Sequence, residues 1–186
     1  EMIECLVGSE MCIRDRSQIL ELNTHPKRIE GYDISHIQGS DPVASQVVFI
    51  DGIPSKQNYR KYKIKDNNVY IGHSDDYASI YEVIYRRFKK WSRYKNDGGD
   101  LSYLMNSKNN IINNELFSDW PDLVMIDGGK GQLNSAIKAL EDLNLEKDVV
   151  LCSLAKKKEE IYVPGLSKPL NTCLLYTSDA ADDAHG

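Results

Sequence analysis

Long apolar runs are absent from this sequence. None of its stretches reaches the about 18 consecutive apolar residues of a membrane-spanning helix, so we expect no membrane contact. Hydrophobic residues make up 41% and charged residues 27% of the 186 positions, which is typical of soluble globular proteins. The length is sufficient for a single domain with a sizeable buried core.

An excess of positive charge is lacking as well. The formal net charge is −5, which by itself argues against a protein that binds nucleic acids. The ends alter this balance, because residues 1–16 and 171–186 resemble translated sequencing adapters and show no helical or strand periodicity. We interpret them as foreign tails, with native but poorly structured tails as the alternative. They hold seven of the 28 acidic and two of the 23 basic residues, which leaves residues 17–170 neutral with 21 of each.

Cysteine is scarce within the part of the chain expected to fold. Three of the four cysteines, Cys5, Cys12 and Cys173, lie in the predicted tails, and Cys152 lies within an apolar, strand-like segment. A single cysteine excludes a disulfide framework and a cysteine-based zinc site. It is typical of a protein of the reducing cytoplasm.

Apolar periodicity predicts three strands, then a helix, a strand, a helix and a strand. Strands over 28–38, 43–50 and 59–65 are expected to form an antiparallel meander, with Asp51-Gly52 as a hairpin turn. The later predicted elements are a helix over 75–94, an insertion over 96–119 with a short helix near 111–117, a buried strand over 122–127, a helix marked by apolar residues from 133 to 143, a buried strand over 148–154 and a hairpin arm over 159–165. This order predicts an α/β fold, in which helices flank a mixed sheet of antiparallel and parallel strands.

The first predicted helix is amphipathic. Ser74 is a suitable N-cap, and two aspartates follow it at the positive end of the helix dipole. An apolar stripe with spacings of three and four residues is expected to face the core; it consists of Tyr77, Ile80, Ile84, Phe88 and Trp91.

Three aspartate positions are candidates for catalysis. Asp33 lies in a predicted strand, Asp127 ends a buried apolar strand, and Asp75 and Asp76 open a helix. If that helix crosses the sheet, one of its aspartates can meet the ends of the two strands. Three converging carboxylates would bind Mg²⁺ or Mn²⁺, which can activate water for phosphodiester hydrolysis. Turn and helix-capping roles are the alternative, and the residues alone do not decide between the two interpretations.

A glycine-rich connection follows the buried strand. Its sequence is Gly128-Gly129-Lys130-Gly131-Gln132, between a strand and a helix, where backbone N–H groups can approach an anion. The spacing is not that of a Walker A loop. Phosphate contacts by Lys130 and Gln132 and a simple tight connection are equally compatible with it.

A basic stretch is the candidate surface for DNA. Residues 56–95 hold eleven Lys or Arg and four acidic residues, interleaved with aromatic side chains. A solvated helix face is the alternative interpretation. The residues predicted to contact DNA, including Lys156 after the last strand, are Arg60, Lys61, Arg86, Arg87, Lys130, Gln132 and Lys156. His36 is a supporting candidate, whereas His185 lies in a predicted tail and is given no role.

Five segments together resemble the UvrC family of bacterial DNA repair nucleases. In chain order they are YDISHIQGSDPVASQVVF, YRKYKIK, SDDYASIYEVIYRRF, PDLVMIDGGKGQLNSA and LAKKKEEIYVPG. They cover most of residues 27–170 in an order that chance would rarely produce. The resemblance is to the C-terminal endonuclease domain of the family, and it implies a ribonuclease H-like fold that is truncated at its C-terminal end here.

The resemblance also implies an activity and its residues. Asp33, Asp76 and Asp127 correspond to catalytic carboxylates that bind Mg²⁺ or Mn²⁺, with Asp75 as the alternative to Asp76. The implied function is nucleotide excision repair in the cytoplasm, by cutting damaged double-stranded DNA on the 5′ side of a lesion. The implied partners of the full-length protein are UvrA and UvrB.

Family members contain segments that we do not find in this sequence. These are a C-terminal helix with a catalytic histidine, a tandem helix-hairpin-helix module, and an N-terminal half with a GIY-YIG nuclease for the 3′ cut and a segment that contacts UvrB. Whether this chain is active by itself therefore stays open. Two other functions remain: a non-catalytic DNA-binding or protein-docking module, and an endonuclease V-like enzyme, which shares the fold.

Overall fold

The structure, a computed structural model, describes residues 25–35, 43–65, 76–101, 119–158 and 160–171. The short helix predicted near 111–117 lies outside these residues, as do His36, Asp75 and the predicted tails except residue 171. None of the helices in the described ranges is both long enough and apolar enough to cross a membrane.

One mixed sheet organises the fold. Its strands are β1 (Arg28–Ser35), β2 (Val43–Ile50), β3 (Ile53–Pro54), β4 (Arg60–Lys63), β5 (Leu123–Asp127), β6 (Leu151–Ala155), β7 (Glu160–Tyr162) and β8 (Leu170–Asn171). They are arranged in the order β3-β2-β1-β5-β6-β7-β8, and β4 also pairs with β2. The β1–β5 and β5–β6 pairs are parallel, whereas the other pairs are antiparallel. The predicted mixed sheet is therefore confirmed.

The predicted hairpin turn joins β2 to the two-residue strand β3. Asp51 and Gly52 have φ angles of 50° and 79°, the left-handed pair that a two-residue hairpin turn requires. A 3₁₀ turn at Lys56–Asn58 then leads into β4, which pairs with the first half of β2. The predicted meander is therefore present, with β3 and the 3₁₀ turn inserted between its second and third long strands.

Two helices pack on one face of the sheet and against each other. They are α1 (Asp76–Asn96) and α2 (Lys130–Asp142). Four members of the predicted stripe, Ile80, Ile84, Phe88 and Trp91, are fully buried there. Tyr77 was predicted to join them, but it is 53% exposed. Its ring lies over Gly131 at the start of α2, where a Cβ atom on the glycine would come within 2.5 Å of the ring.

Strand β5 is buried on both of its faces. Val124 and Ile126 pack with the helices, whereas Leu123 and Met125 belong to a second apolar cluster on the other face. The other buried members of that second cluster are Ile29, Phe49, Cys152, Leu154 and Ile161. Burial on both faces explains why the sequence of β5 is continuously apolar rather than alternating.

A buried ionic network joins β1 to α1. Glu30 is fully buried and accepts hydrogen bonds from Arg28, Tyr32 and Arg87. The Arg87–Glu30 pair is bidentate, with N–O distances of 3.0 and 2.6 Å, and Arg87 also donates to the backbone oxygen of Asp119. The prediction that Arg87 contacts DNA therefore disagrees with its position, since its guanidinium group is enclosed in the core and fully engaged there.

The element boundaries differ from the predictions where turns interrupt the pattern. Strand β6 begins at Leu151 rather than at 148, because Asp148 and Val149 donate backbone hydrogen bonds to Leu145 in a turn. The predicted hairpin arm is present as β7, antiparallel to β6, and β8 adds a further pair. Strand β8 includes Asn171, one residue past the boundary predicted for the C-terminal tail.

A hydrogen bond between the helices gives a pH-dependent prediction. The Tyr81 hydroxyl donates to Asp142 at 2.7 Å, and this bond is the main cause that raises the pKa of Tyr81 from 10.0 to about 12. Because the pKa is raised in the folded state, the stabilisation is complete below pH 10 and is lost as the pH rises towards 12. We expect Tyr81→Phe and Asp142→Asn to lower the free energy of unfolding at pH 8 by less than about 1 kcal/mol, since the pair is exposed.

Urea titrations between pH 8 and 11.5 measure this effect. The difference between the wild-type chain and either variant should shrink above pH 10. A difference that is constant over the whole range would contradict the assignment.

Candidate active site

The parallel register of β1 and β5 brings Asp33 and Asp127 together. Tyr32 pairs with Ile126, so the next residue of each strand is one of the two aspartates. The register thus places their carboxyl groups side by side, close enough to interact through a hydrogen bond. Burial raises the pKa of Asp33, and the negative charge of Asp127 raises it further. The pair therefore lies at the carboxyl ends of two parallel strands, where active sites of α/β proteins commonly form.

The third predicted carboxylate lies near this pair. Asp76 is the first residue of α1, and its charge is among the causes that raise the pKa of Asp33. The charge of Asp127 has the larger effect. Asp76 is therefore within the range of electrostatic interaction with Asp33.

Lys156 forms an ion pair with Asp127. It is the first residue of a 3₁₀ turn that follows β6, the strand next to β5. The hydrogen bond to Asp127 raises the pKa of Lys156. The side chain of Asp127 is 10% exposed and that of Lys156 is 42% exposed, so the carboxylate is shielded from water while the lysine remains accessible.

The glycine-rich connection caps α2 beside the aspartate pair. Gly129 is the N-cap residue, and its N–H donates to Oε1 of Gln132 at 3.1 Å. Gly128 donates to the backbone oxygen of Leu154 at 2.9 Å, which fixes the loop to β6. The Gln132 side chain therefore serves the cap, whereas Lys130 is exposed at the first turn of α2.

The carboxylate donors fit a hard divalent cation. Carboxylate oxygens are the ligands that Mg²⁺ and Mn²⁺ prefer, and two adjacent ionised carboxylates repel each other unless a cation lies between them. Among the residues that the structure describes, no group of three or more His, Cys, Asp or Glu side chains is arranged to hold a metal ion. The carboxyl groups that interact directly are those of Asp33 and Asp127, and the charge of Asp76 also acts on Asp33.

A family comparison identifies the domain. The family model described as the UvrC RNAse H endonuclease domain matches residues 17–180. The chain belongs to this family. The ribonuclease H-like α/β fold that the resemblance implied is confirmed by this match and by the mixed sheet with its two flanking helices.

Two similar relatives come from Prochlorococcus marinus. A UvrABC system protein C of strain MIT 9312 is 73% identical over 164 residues, which are 88% of this chain and 25% of that protein. A second one, from Prochlorococcus marinus subsp. pastoris, is 66% identical over 182 residues, 95% of this chain and 28% of that protein. The chain thus spans about a quarter of the length of these relatives.

One solved structure is similar only at a low level. A Ciona intestinalis endonuclease V in complex with DNA aligns with a TM-score of 0.37 and 15% identity, covering 96% of this chain and 70% of that one. Similarity at this level supports no argument about the function of the UvrC-family domain.

The exposed residues that were predicted to contact DNA lie on two parts of the UvrC-family domain. Arg60 and Lys61 are exposed on β4, and Arg86 is exposed on α1. Arg86 donates to the backbone oxygen of Lys63 and to Glu82, so its guanidinium group links α1 to the end of β4. These three residues remain predicted DNA contacts, together with Lys130 and Lys156 beside the aspartate pair.

Two features of the site were not predicted from the sequence. The first is the ion pair between Lys156 and Asp127, for which the signal was a lysine placed directly after the strand next to β5. The second is the contact of Tyr77 with Gly131, which brings the first turns of α1 and α2 together. An aromatic residue directly after Asp76 and a glycine in a helix turn are too common to predict such a contact.

Proposed function

We propose that the chain is the endonuclease domain of an excision nuclease that cuts damaged DNA on the 5′ side of a lesion. The observation that carries this proposal is the contact between Asp33 and Asp127 at the carboxyl ends of parallel strands, in a chain of the UvrC endonuclease-domain family. The proposed setting is the cytoplasmic UvrABC system, with UvrA and UvrB as partners of the full-length protein. The relatives named UvrABC system protein C support this setting.

The proposed chemistry is hydrolysis of a phosphodiester bond with Mg²⁺ or Mn²⁺. When bound, the divalent ion would activate water and stabilise the charge that develops on the phosphate. Asp33 and Asp127 would hold it through their carboxylate oxygens, with Asp76 as the third ligand. The proposed products are a 3′-hydroxyl and a 5′-phosphate.

The residues around the pair suit a bound phosphate backbone. The first turn of α2 directs backbone N–H groups and a partial positive charge away from the helix, and Lys130 adds a full charge there. Lys156 adds a second cation in contact with Asp127. These groups would orient the DNA strand, while Arg60, Lys61 and Arg86 would contact its more distant phosphates.

The test uses the full-length protein with UvrA, UvrB and two end-labelled duplexes. One duplex carries a bulky adduct and the other carries inosine. We expect a cut 5′ to the adduct that requires Mg²⁺ or Mn²⁺ and disappears with EDTA. Cutting of the inosine duplex alone would favour an endonuclease V-like activity and would contradict the proposal.

The same assay addresses the non-catalytic alternative. The observation that favours a binding module is the neutral charge of residues 17–170, together with the absence from this sequence of the helix that carries the family's catalytic histidine. Salt-sensitive DNA binding together with a 5′ cut that persists when this domain is deleted would identify the domain as such a module.

A further inference from the structure

We propose that Lys156 is a built-in counter-ion that neutralises the Asp33–Asp127 pair in the metal-free protein and competes with the divalent ion for it. The inference rests on the proposed function, because it takes the pair as the metal-binding site. It assigns Lys156 a role before DNA arrives, in addition to any contact with phosphate. In this view the ammonium group occupies the place of the metal ion until the ion displaces it.

The need for a counter-ion follows from the pair itself. Two carboxyl groups in contact cannot both ionise at low cost unless a positive charge lies against them. The Asp127 side chain is only 10% exposed, so water is a poor substitute for that charge. The Lys156 ammonium supplies it by direct contact with Asp127, and it is also close enough to Asp33 for their charges to interact.

The backbone fixes the position of the lysine, while its side chain is partly exposed. Ala155, the residue before it, pairs with Glu160 of β7, and Leu154 pairs with Asp127 itself. The Cα atom of Lys156 is therefore fixed by the sheet beside β5. Its side chain is 42% exposed, so rotation about its flexible stem moves the ammonium into water without unfolding any element.

The two partners differ in exposure, and this difference determines which of them moves when a divalent ion binds. Asp127 is nearly enclosed and stays in place, whereas Lys156 can leave. An ion pair with one half-exposed partner is weak, so a divalent ion with twice the charge can displace the lysine. The displaced ammonium remains tethered at the site, where the phosphate of a DNA strand is the natural anion to receive it.

The inference is tested by titrating this chain with Mn²⁺ in the absence of DNA. The electron paramagnetic resonance signal of the free ion measures how much Mn²⁺ is bound. Lys156→Met should bind Mn²⁺ about tenfold more tightly than the wild-type chain, because a unit charge in contact with the carboxylates is removed. Lys156→Arg keeps the charge and should stay close to the wild-type affinity. Lys157→Met, a loss of charge at the next residue, is the matched control and should change the affinity little.

Thermal unfolding gives a second measurement that does not depend on metal affinity. In EDTA at pH 8, Lys156→Met should unfold at a lower temperature than the wild-type chain, since the two carboxylates then repel each other without a counter-ion. Saturating Mn²⁺ should remove this difference. Lys157→Met should unfold like the wild-type chain under both conditions.

The outcomes separate this inference from the proposed function. If the wild-type chain binds Mn²⁺ and Lys156→Met binds it equally or more weakly, the competition is overturned while the metal site stands. If only Lys156→Met binds Mn²⁺, the competition is supported in its strongest form. If no variant binds Mn²⁺, both the counter-ion role and the proposed metal site are overturned.

Discussion

Replacing Asp127 with alanine in the full-length protein is expected to reduce the cut on the 5′ side of a lesion at least about 100-fold. Loss of a single group that stabilises transition-state charge typically reduces the rate by about 10² to 10³. Asp127 is expected to lie within that range, because it contacts both Asp33 and Lys156. Asp33→Ala should have a similar effect, because it removes the other half of the pair.

The measurement is an incision map of an end-labelled adduct duplex with UvrA and UvrB. The 3′ cut, which the family resemblance assigns to a separate nuclease, should persist and serves as an internal control for loading on DNA. Asp148→Ala is the matched control variant, since this acid pairs with Lys95 in a partly exposed ion pair at the far end of the helices. Undiminished 5′ incision by all three variants, Asp33→Ala, Asp76→Ala and Asp127→Ala, would contradict the assignment of these aspartates as catalytic residues.

Asp75 and Asp76 are distinguished in the same assay. The charge of Asp76 acts on Asp33, and the family resemblance assigns the third carboxylate to Asp76. We therefore expect Asp76→Ala to reduce the 5′ cut strongly and Asp75→Ala to reduce it less. The reverse order would assign the third ligand to Asp75.

The sheet could be predicted well from the sequence because its strands have distinct patterns. Strand β5 is continuously apolar, and the Asp51-Gly52 turn has a residue pair that few other structures require. The beginning of β6 was predicted three residues too early, since Val149 continues the apolar pattern of the strand, but Asp148 and Val149 close a turn through backbone hydrogen bonds. Apolar character alone does not separate a strand from the turn that leads into it.

The candidate site could be predicted only in part. Asp33 and Asp127 were recognisable because each lies at or near the end of a strand, and the parallel register then brings them together. The basic residues were harder, because charge in the sequence does not show burial. Arg86 and Arg87 are neighbours in a basic run, yet Arg87 is buried and paired with Glu30, whereas Arg86 is exposed. The two arginines differ only in the face of α1 on which they lie, and the sequence does not show which face meets the core at that point. A guanidinium group in the core also requires a buried carboxylate on another element.

Replacing that buried carboxylate is expected to give the largest loss of stability in this chain. Glu30→Ala leaves the guanidinium groups of Arg28 and Arg87 without their shared partner, although their side chains are only 9% and 5% exposed. Removing one member of a buried ion pair typically costs about 3–5 kcal/mol. Urea unfolding should show this loss in the free energy of unfolding. Asp148→Ala, which breaks the partly exposed pair with Lys95, should cost less than about 1 kcal/mol.

The loss should come from the unpaired charge rather than from the missing hydrogen bonds. Glu30→Met combined with Arg87→Met removes both charges and fills the space with apolar side chains of similar length, which is often neutral or stabilising. The double variant should therefore be more stable than Glu30→Ala, although Arg28 retains part of the penalty. Because β1 carries both Glu30 and Asp33, and α1 carries both Arg87 and Asp76, the network also holds the two predicted metal-binding elements together. A double variant that regains stability but not 5′ incision would show that the ionic contact sets the position of Asp76 relative to Asp33. Recovery of both stability and incision would show that the network contributes to stability alone.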